Sequence, residues 1–139
     1  MLDTYLGIDF GTKRIGLALG NSLTGSARAL SVLPNNGGFM DAINKTIKEW
    51  QVTQLIVGLP LNMDGEEQEI TRQVKNFARK LKHNTSLPLD FVDERLTSFE
   101  AERQFKDLRQ NKQAKAKNKD QIDAMAAQII LQSYLDLQG

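Results

Sequence analysis

"GIDFGTKRIG", residues 7–16, decides how the rest of the chain is read. Tyr5, Leu6, Gly7 and Ile8 form an apolar run that predicts a strand entering a core. Asp9 stands at the end of that run, where a carboxylate is costly to bury. Side chains alternate along a strand, so Leu6, Ile8 and Phe10 share one face and Tyr5, Gly7 and Asp9 the other. An unpartnered acid in such a place protonates or finds a cation. Gly7 and Gly11, with Gly16 across the following turn, leave space around it. A second reading makes Asp9 a turn cap that accepts hydrogen bonds from the Gly11–Thr12–Lys13 backbone.

Outward from this stretch, residues 4–10, 15–20 and 27–33 read as three strands joined by short turns, the third stopped by Pro34. They predict an antiparallel meander. Phe39, Ile43, Ile47 and Trp50 recur at helical spacing and predict a helix over 39–50, with Trp50 in the core. "QLIVGL" (54–59) reads as a short buried strand. A helix over 66–82 follows from the stripe Ile70, Val74, Phe77, Ala78 and Leu81, with Glu66, Glu67 and Glu69 favourable to its N-terminal dipole. Residues 87–92 read as a fifth strand, and 98–108 as a helix capped by Ser98. The last helix, 120–138, places Ile122, Met125, Ala126, Ile129 and Leu137 on an inner stripe. Three antiparallel strands followed by alternating helices and strands predict an α/β fold with one mixed five-stranded sheet flanked by helices.

The chain has 139 residues, which suits one domain over 1–139 and one sizeable core. There are no cysteines, so disulfides and thiolate metal sites are excluded. No apolar run approaches the roughly 18 residues of a membrane span, and "MLDTYLGIDF" lacks a basic leader, so the expected location is the cytoplasm. Net charge is +1 but unevenly spread. Residues 103–119 carry Arg103, Lys106, Arg109, Lys112, Lys115, Lys117 and Lys119 against Asp107, and leave the rest of the chain acidic. Such a run reads either as a solvated loop or as a patch for a nucleic-acid backbone.

Further acids stand at element ends. Asp93 and Glu94 follow the fifth strand, and strand parity lets only one of them point where Asp9 points. Spacing does not choose between them, and a surface pair with Arg95 explains either one. Asp120 and Asp123 open the last helix three residues apart and share a face. Asp120 is well placed as an N-cap, whereas Asp123 lies one turn in, beside the apolar stripe and among small side chains. Acids from three elements can converge on one site. All-oxygen ligands suit Mg²⁺ or Mn²⁺, and two such ions activate water and stabilise the leaving oxygen of a phosphodiester.

"GIDFGTKRIGLALG", "LIVGLPLNMDG", "VDERLTSFEA" and "NKDQIDAMAAQIIL" together resemble the YqgF/RuvX family over nearly the whole chain. The resemblance implies an RNase H-like fold related to the junction resolvase RuvC. It implies a phosphodiester-cleaving nuclease that processes the 5′ end of pre-16S ribosomal RNA. By position it assigns Asp9, Glu94 and Asp123 as catalytic and metal-holding acids, with Asp93 a neighbour and Asp120 either a further ligand or a cap. Within this frame Lys13 and Arg14 stand beside the metal and hold phosphate, or else are two exposed turn cations, and Asn62 and the Gly65 backbone touch substrate, or else serve only their own loop. Arg95 pairs with Asp93 or with phosphate, and Lys115, Lys117 and Lys119 follow the strand's backbone with salt-sensitive affinity.

Competing readings keep the same residues. Branched DNA replaces RNA if the protein is a junction resolvase, and ribosomal precursor particles are the partner if it is a non-catalytic RNA-binding assembly factor. "DFGT" also resembles the phosphate loop of actin-like ATPases, but those need two such domains around the nucleotide. Monomer and homodimer both remain open. His83 in "KHNT" reads as an exposed residue, and Thr97 and Ser98 have no His nearby in sequence to activate them.

Overall fold

The structure is a computed structural model and describes residues 2–94 and 119–138. Five strands form one sheet: β1 (Thr4–Phe10), β2 (Arg14–Asn21), β3 (Ala27–Pro34), β4 (Gln54–Leu59) and β5 (Leu89–Asp93). Three helices are described: α1 (Phe39–Trp50), α2 (Glu69–Thr85) and α3 (Lys119–Gln138). The sheet order is β3-β2-β1-β4-β5. β1, β2 and β3 form the expected antiparallel meander, and β4 and β5 run parallel to β1. Asp9 lies opposite Gly16, Ile8 opposite Val57, and Gly58 opposite Val92. The helix expected over 98–108 falls outside the described residues, as do Arg95, Lys115 and Lys117. Among the described residues no helix is long and apolar enough to cross a membrane.

Strand alternation divides the core in two. Leu6, Ile8, Ile15, Leu17, Leu55 and Val57 face α1 and α2, where they meet Ile43, Val74, Phe77 and Leu81. Burying a side chain such as Ile8 or Leu17 completely stabilises the fold by about 1.5–3 kcal/mol relative to leaving it exposed. The opposite face, with Tyr5, Ala18, Ile56 and Val92, packs against Ala127, Ile130, Leu131 and Leu135 of α3. That set corrects the stripe expected from sequence: Leu137 is 70% exposed, and Ile122, Met125 and Ala126 are only half-buried. The sheet is the reason. Gly7 and Gly16 give α3 a surface without side chains, so the helix presses close, with Ala127 and Leu131 over Gly7 and the Asp123 backbone over Gly16. A Cβ on Gly16 would stand 2.1 Å from the backbone oxygen of Asp123.

Trp50 is also corrected. It is 40% exposed at the end of α1, and the Arg28 guanidinium lies 5.0 Å from its ring centre. α2 begins at Glu69 rather than residue 66. The chain before it is held as a loop by a reciprocal cap, in which the Gln68 amide donates to Thr71 Oγ1 at 2.9 Å and the Gln68 side chain accepts from the Thr71 amide. The buried Thr71 hydroxyl in turn donates to the Pro60 carbonyl.

Candidate active site

Three elements deliver the acids to one end of the sheet. β1 carries Asp9 as its last residue but one, on the α3 face, β5 runs out into Glu94, and the first turns of α3 carry Asp123. Parity now decides between the neighbouring acids. Glu94 shares a face with Val92, which packs under α3, whereas Asp93 follows Phe91 and Leu89 to the α2 side. Glu94 is the acid that meets Asp9: their carboxyl groups are hydrogen-bonded. Gly58 makes room for this contact. A Cβ there would lie 2.7 Å from Glu94 Oε1 and 2.6 Å from Ile130 Cδ1.

Asp9 is half-buried, and its pKa is raised well above the usual carboxyl range. Burial is the largest cause, followed by the charge of Glu94, the hydrogen bond to it, and the charge of Asp123. Glu94 is raised as well, by burial first and by the charge of Asp93, while the hydrogen bond from Asp9 works in the opposite direction. The two therefore titrate as a pair that shares a proton between its carboxyl groups.

Asp123 is positioned by backbone contact. Its carbonyl oxygen lies directly over Gly16, the register partner of Asp9. Its side chain is engaged by Arg14, whose Nε donates to Asp123 Oδ2 at 2.5 Å. Both side chains remain partly open to solvent, at 36% and 27% exposure. Among the described residues no three acids are already drawn together as a metal-holding group. Two carboxyls meet, and the third stands within electrostatic reach on the arm of an arginine.

The donor set nevertheless fits a hard divalent cation. It offers only carboxylate oxygens, and Asp9 and Glu94 are raised by burial first and by neighbouring acids second, a cost of negative charge that a divalent ion would offset. Asp9, Glu94 and, once released from Arg14, Asp123 are the residues that could hold Mg²⁺ or Mn²⁺.

The remaining expected residues lie on the β1–β2 turn, on the loop after β4 and at the start of α3. Lys13 is exposed on the β1–β2 turn, and its carbonyl accepts the Asn35 amide at 2.9 Å. Asn35 Nδ2 also donates to the Gly11 carbonyl at 2.8 Å, so Asn35 braces the turn that follows Asp9. Sequence reading missed this residue, because only its place beyond Pro34, opposite the turn, gives it the role. Asn62 Oδ1 accepts the amides of Asp64 and Glu66 at 3.0 and 2.8 Å, and Gly65 sits at φ +83. Asn62 is thus the organiser of its own loop, and Gly65 supplies a backbone conformation that other residues rarely adopt. Lys119 and Asp120 open α3. His83 is exposed on α2, as expected.

With this geometry in place, comparison with known proteins gives a consistent result. Residues 3–137 match the family model RuvX, described as a Holliday junction resolvase. A protein of Burkholderia ambifaria named "Putative pre-16S rRNA nuclease" is 44% identical over 135 residues, which is 96% of this chain and 89% of the relative. One of the same name from Actinobacillus pleuropneumoniae serotype 5b is 42% identical over 140 residues, covering 99% of this chain and all of the relative. Among solved structures, Thermus thermophilus RuvC in complex with a Holliday junction substrate superposes with a TM-score of 0.59. It is 14% identical, with 98% of this chain and 95% of that chain covered, and this likeness is one of fold: RNase H-like. By the family model and by these near full-length relatives, the chain belongs to the RuvX family.

Proposed function

We propose that this chain is a divalent-metal-dependent nuclease that hydrolyses phosphodiester bonds and processes the 5′ end of pre-16S rRNA in the cytoplasm, in the course of ribosome biogenesis. The observation that carries the reading is the Asp9–Glu94 carboxyl pair at the ends of β1 and β5, with Asp123 close enough to raise Asp9 further. A proton-sharing acid pair beside a third acid costs stability and contributes nothing to packing, which supports a chemical use. The names carried by the relatives supply the RNA substrate.

Divalent ions bound to these carboxylates would supply Lewis acidity for the attack of water and for the departing oxygen. The chain's own residues do the rest. Asp9 and Glu94 must give up their shared proton before they can act as ligands, so the site becomes competent as pH rises. The backbone contact at Gly16 fixes the height of Asp123 above the sheet. Lys13, exposed on the adjacent turn, and Arg14 present positive charge to the scissile strand. Asn62 and Gly65 shape a loop at the end of β4, where ligands of open sheets bind. Arg95, Lys115, Lys117 and Lys119 extend the basic path by their place in the sequence.

The test is cleavage of labelled pre-rRNA fragments, linear duplex and four-way junctions in Mg²⁺ and in Mn²⁺, by wild type and by Asp9→Asn. The reading expects cleavage of the rRNA precursor and its loss in Asp9→Asn. The family description makes junction DNA the second reading, and exclusive cleavage of the four-way junction would establish it instead. Binding without cleavage in every metal would leave a non-catalytic assembly factor.

A further inference from the structure

We infer that Arg14 is a latch on Asp123 that couples metal binding to nucleic-acid binding. This inference rests on the nuclease reading above and concerns how its site is assembled. The Arg14 Nε–Asp123 Oδ2 contact, at 2.5 Å, joins the turn after Asp9 to the helix that carries the third acid. Three carboxylates around one opening repel one another, and Asp123 already raises Asp9 from where it stands. Arg14 neutralises Asp123 and keeps the metal-free site tolerable. The same contact occupies Oδ2, one of the two oxygens that Asp123 could offer a cation.

Arg14 and Asp123 each have a better partner in the loaded complex. A guanidinium matches the fork of phosphate oxygens as well as that of a carboxylate. Arg14 is about one-third exposed beside Asp123, so a strand lying across the acids brings phosphate within its reach. A divalent ion held by Asp9 and Glu94 would likewise attract Asp123. Phosphate draws Arg14 away from Asp123, and metal draws Asp123 away from Arg14. Both ligands break the same ion pair, so each one lowers the cost of binding the other. The site then fills with metal when a strand is present and resists filling in its absence. Arg14 is in this sense a positioning residue for Asp123 as well as a phosphate contact.

The test is calorimetric titration of Mg²⁺ into the whole protein, alone and with a phosphorothioate pre-rRNA fragment that resists cleavage. Wild type should bind Mg²⁺ at least about fivefold more tightly with the fragment present. Arg14→Ala and Arg14→Gln should each bind Mg²⁺ more tightly than wild type without RNA, and the gain from RNA should shrink. Lys13→Ala removes the same charge from the neighbouring position without touching Asp123, so any gain in metal affinity that it shows without RNA measures the effect of charge alone, and the Arg14 variants should exceed it. The Arg14 Nε–H resonance gives a direct readout: Mg²⁺ added to the wild-type protein should speed its exchange with solvent. If Arg14→Ala and Arg14→Gln bind Mg²⁺ no more tightly than Lys13→Ala, the latch is overturned and the nuclease reading stands. If neither wild type nor these variants bind Mg²⁺ in any condition, both fall.

Discussion

The carboxyl groups of Asp9 and Glu94 are hydrogen-bonded to each other at the ends of two strands that do not touch, separated by β4. Gly58, on that intervening strand, is what lets the glutamate side chain reach across. Like-charged groups meeting in this way store unfavourable energy at neutral pH, and that energy is measurable.

Both carboxyls have folded-state pKa values above their ordinary ones. Between the ordinary and the raised value, the folded protein holds more protons than the unfolded chain. The pair's contribution to stability is therefore complete below the ordinary carboxyl pKa and is lost as pH rises through the raised value. Asp9→Asn removes this titration while keeping the shape. It should gain about 1 kcal/mol of stability over wild type at pH 8 and little at pH 4. Urea denaturation across that range would show the two curves diverging with pH; curves that stay parallel would mean that the pair is not strained.

Cation and proton compete for the same oxygens. Mg²⁺ should raise the melting temperature of the wild-type protein, and more at pH 8 than at pH 6. At a hundredfold excess over its dissociation constant the stabilisation would be about 2.7 kcal/mol. Glu94→Gln should abolish most of the shift. A shift of equal size at both pH values, or one that persists in Glu94→Gln, would place the ion elsewhere.

Two alanine substitutions separate framework from chemistry. In Gly16→Ala the new Cβ would fall 2.1 Å from the oxygen and 2.7 Å from the carbon of a helix carbonyl, neither of which can swing aside. α3 must shift, at a cost of roughly 1–3 kcal/mol or more, and Asp123 goes with it. In Gly58→Ala the obstacles are the ends of the Ile130 and Glu94 side chains, at 2.6 and 2.7 Å. Thermal melts should show the smaller loss for Gly58→Ala, while Mg²⁺ affinity falls in both variants. Equal stability losses would contradict the contrast between backbone and side-chain neighbours.

Thr71→Val tests the loop before α2. The substitution keeps the volume but leaves the partly buried Pro60 carbonyl and the Gln68 amide without the buried hydroxyl they share. About 1–3 kcal/mol should be lost in chemical denaturation. Amide exchange should also speed up over residues 61–68, where Asn62 gathers its turn. Unchanged exchange there would show that Thr71 does not anchor the loop.

The local signals in the sequence carry the meander, α1 and β4, because turn residues and apolar periodicity both depend on neighbours a few positions away. β2 and β3 differ from expectation only at their ends. What the sequence could not show depends on contacts between distant residues. The start of α2 is set by Gln68 and Thr71, and Glu67 belongs to a bridge with Leu61 rather than to the helix. The inner stripe of α3 is set by how the helix seats on glycines of β1 and β2, where Gly7 and Gly20 receive Leu131 and Leu135 and Gly16 receives the Asp123 backbone, a rotation that the helix's own periodicity does not fix. Parity already placed Asp93 and Glu94 on opposite faces, but only the seating of α3 on the Val92 side fixes which face belongs to Asp9. The Arg14–Asp123 contact joins residues that no spacing rule connects.

Because the Asp123 carbonyl rests on the bare backbone of Gly16, the sheet serves as the ruler against which α3 is set. A slip of the helix by one turn would carry Asp123 about 5.4 Å along its axis, farther than any side-chain rotation could recover. The spacing of the acids is thus written into main chain, and surrounding loops can change length without altering it.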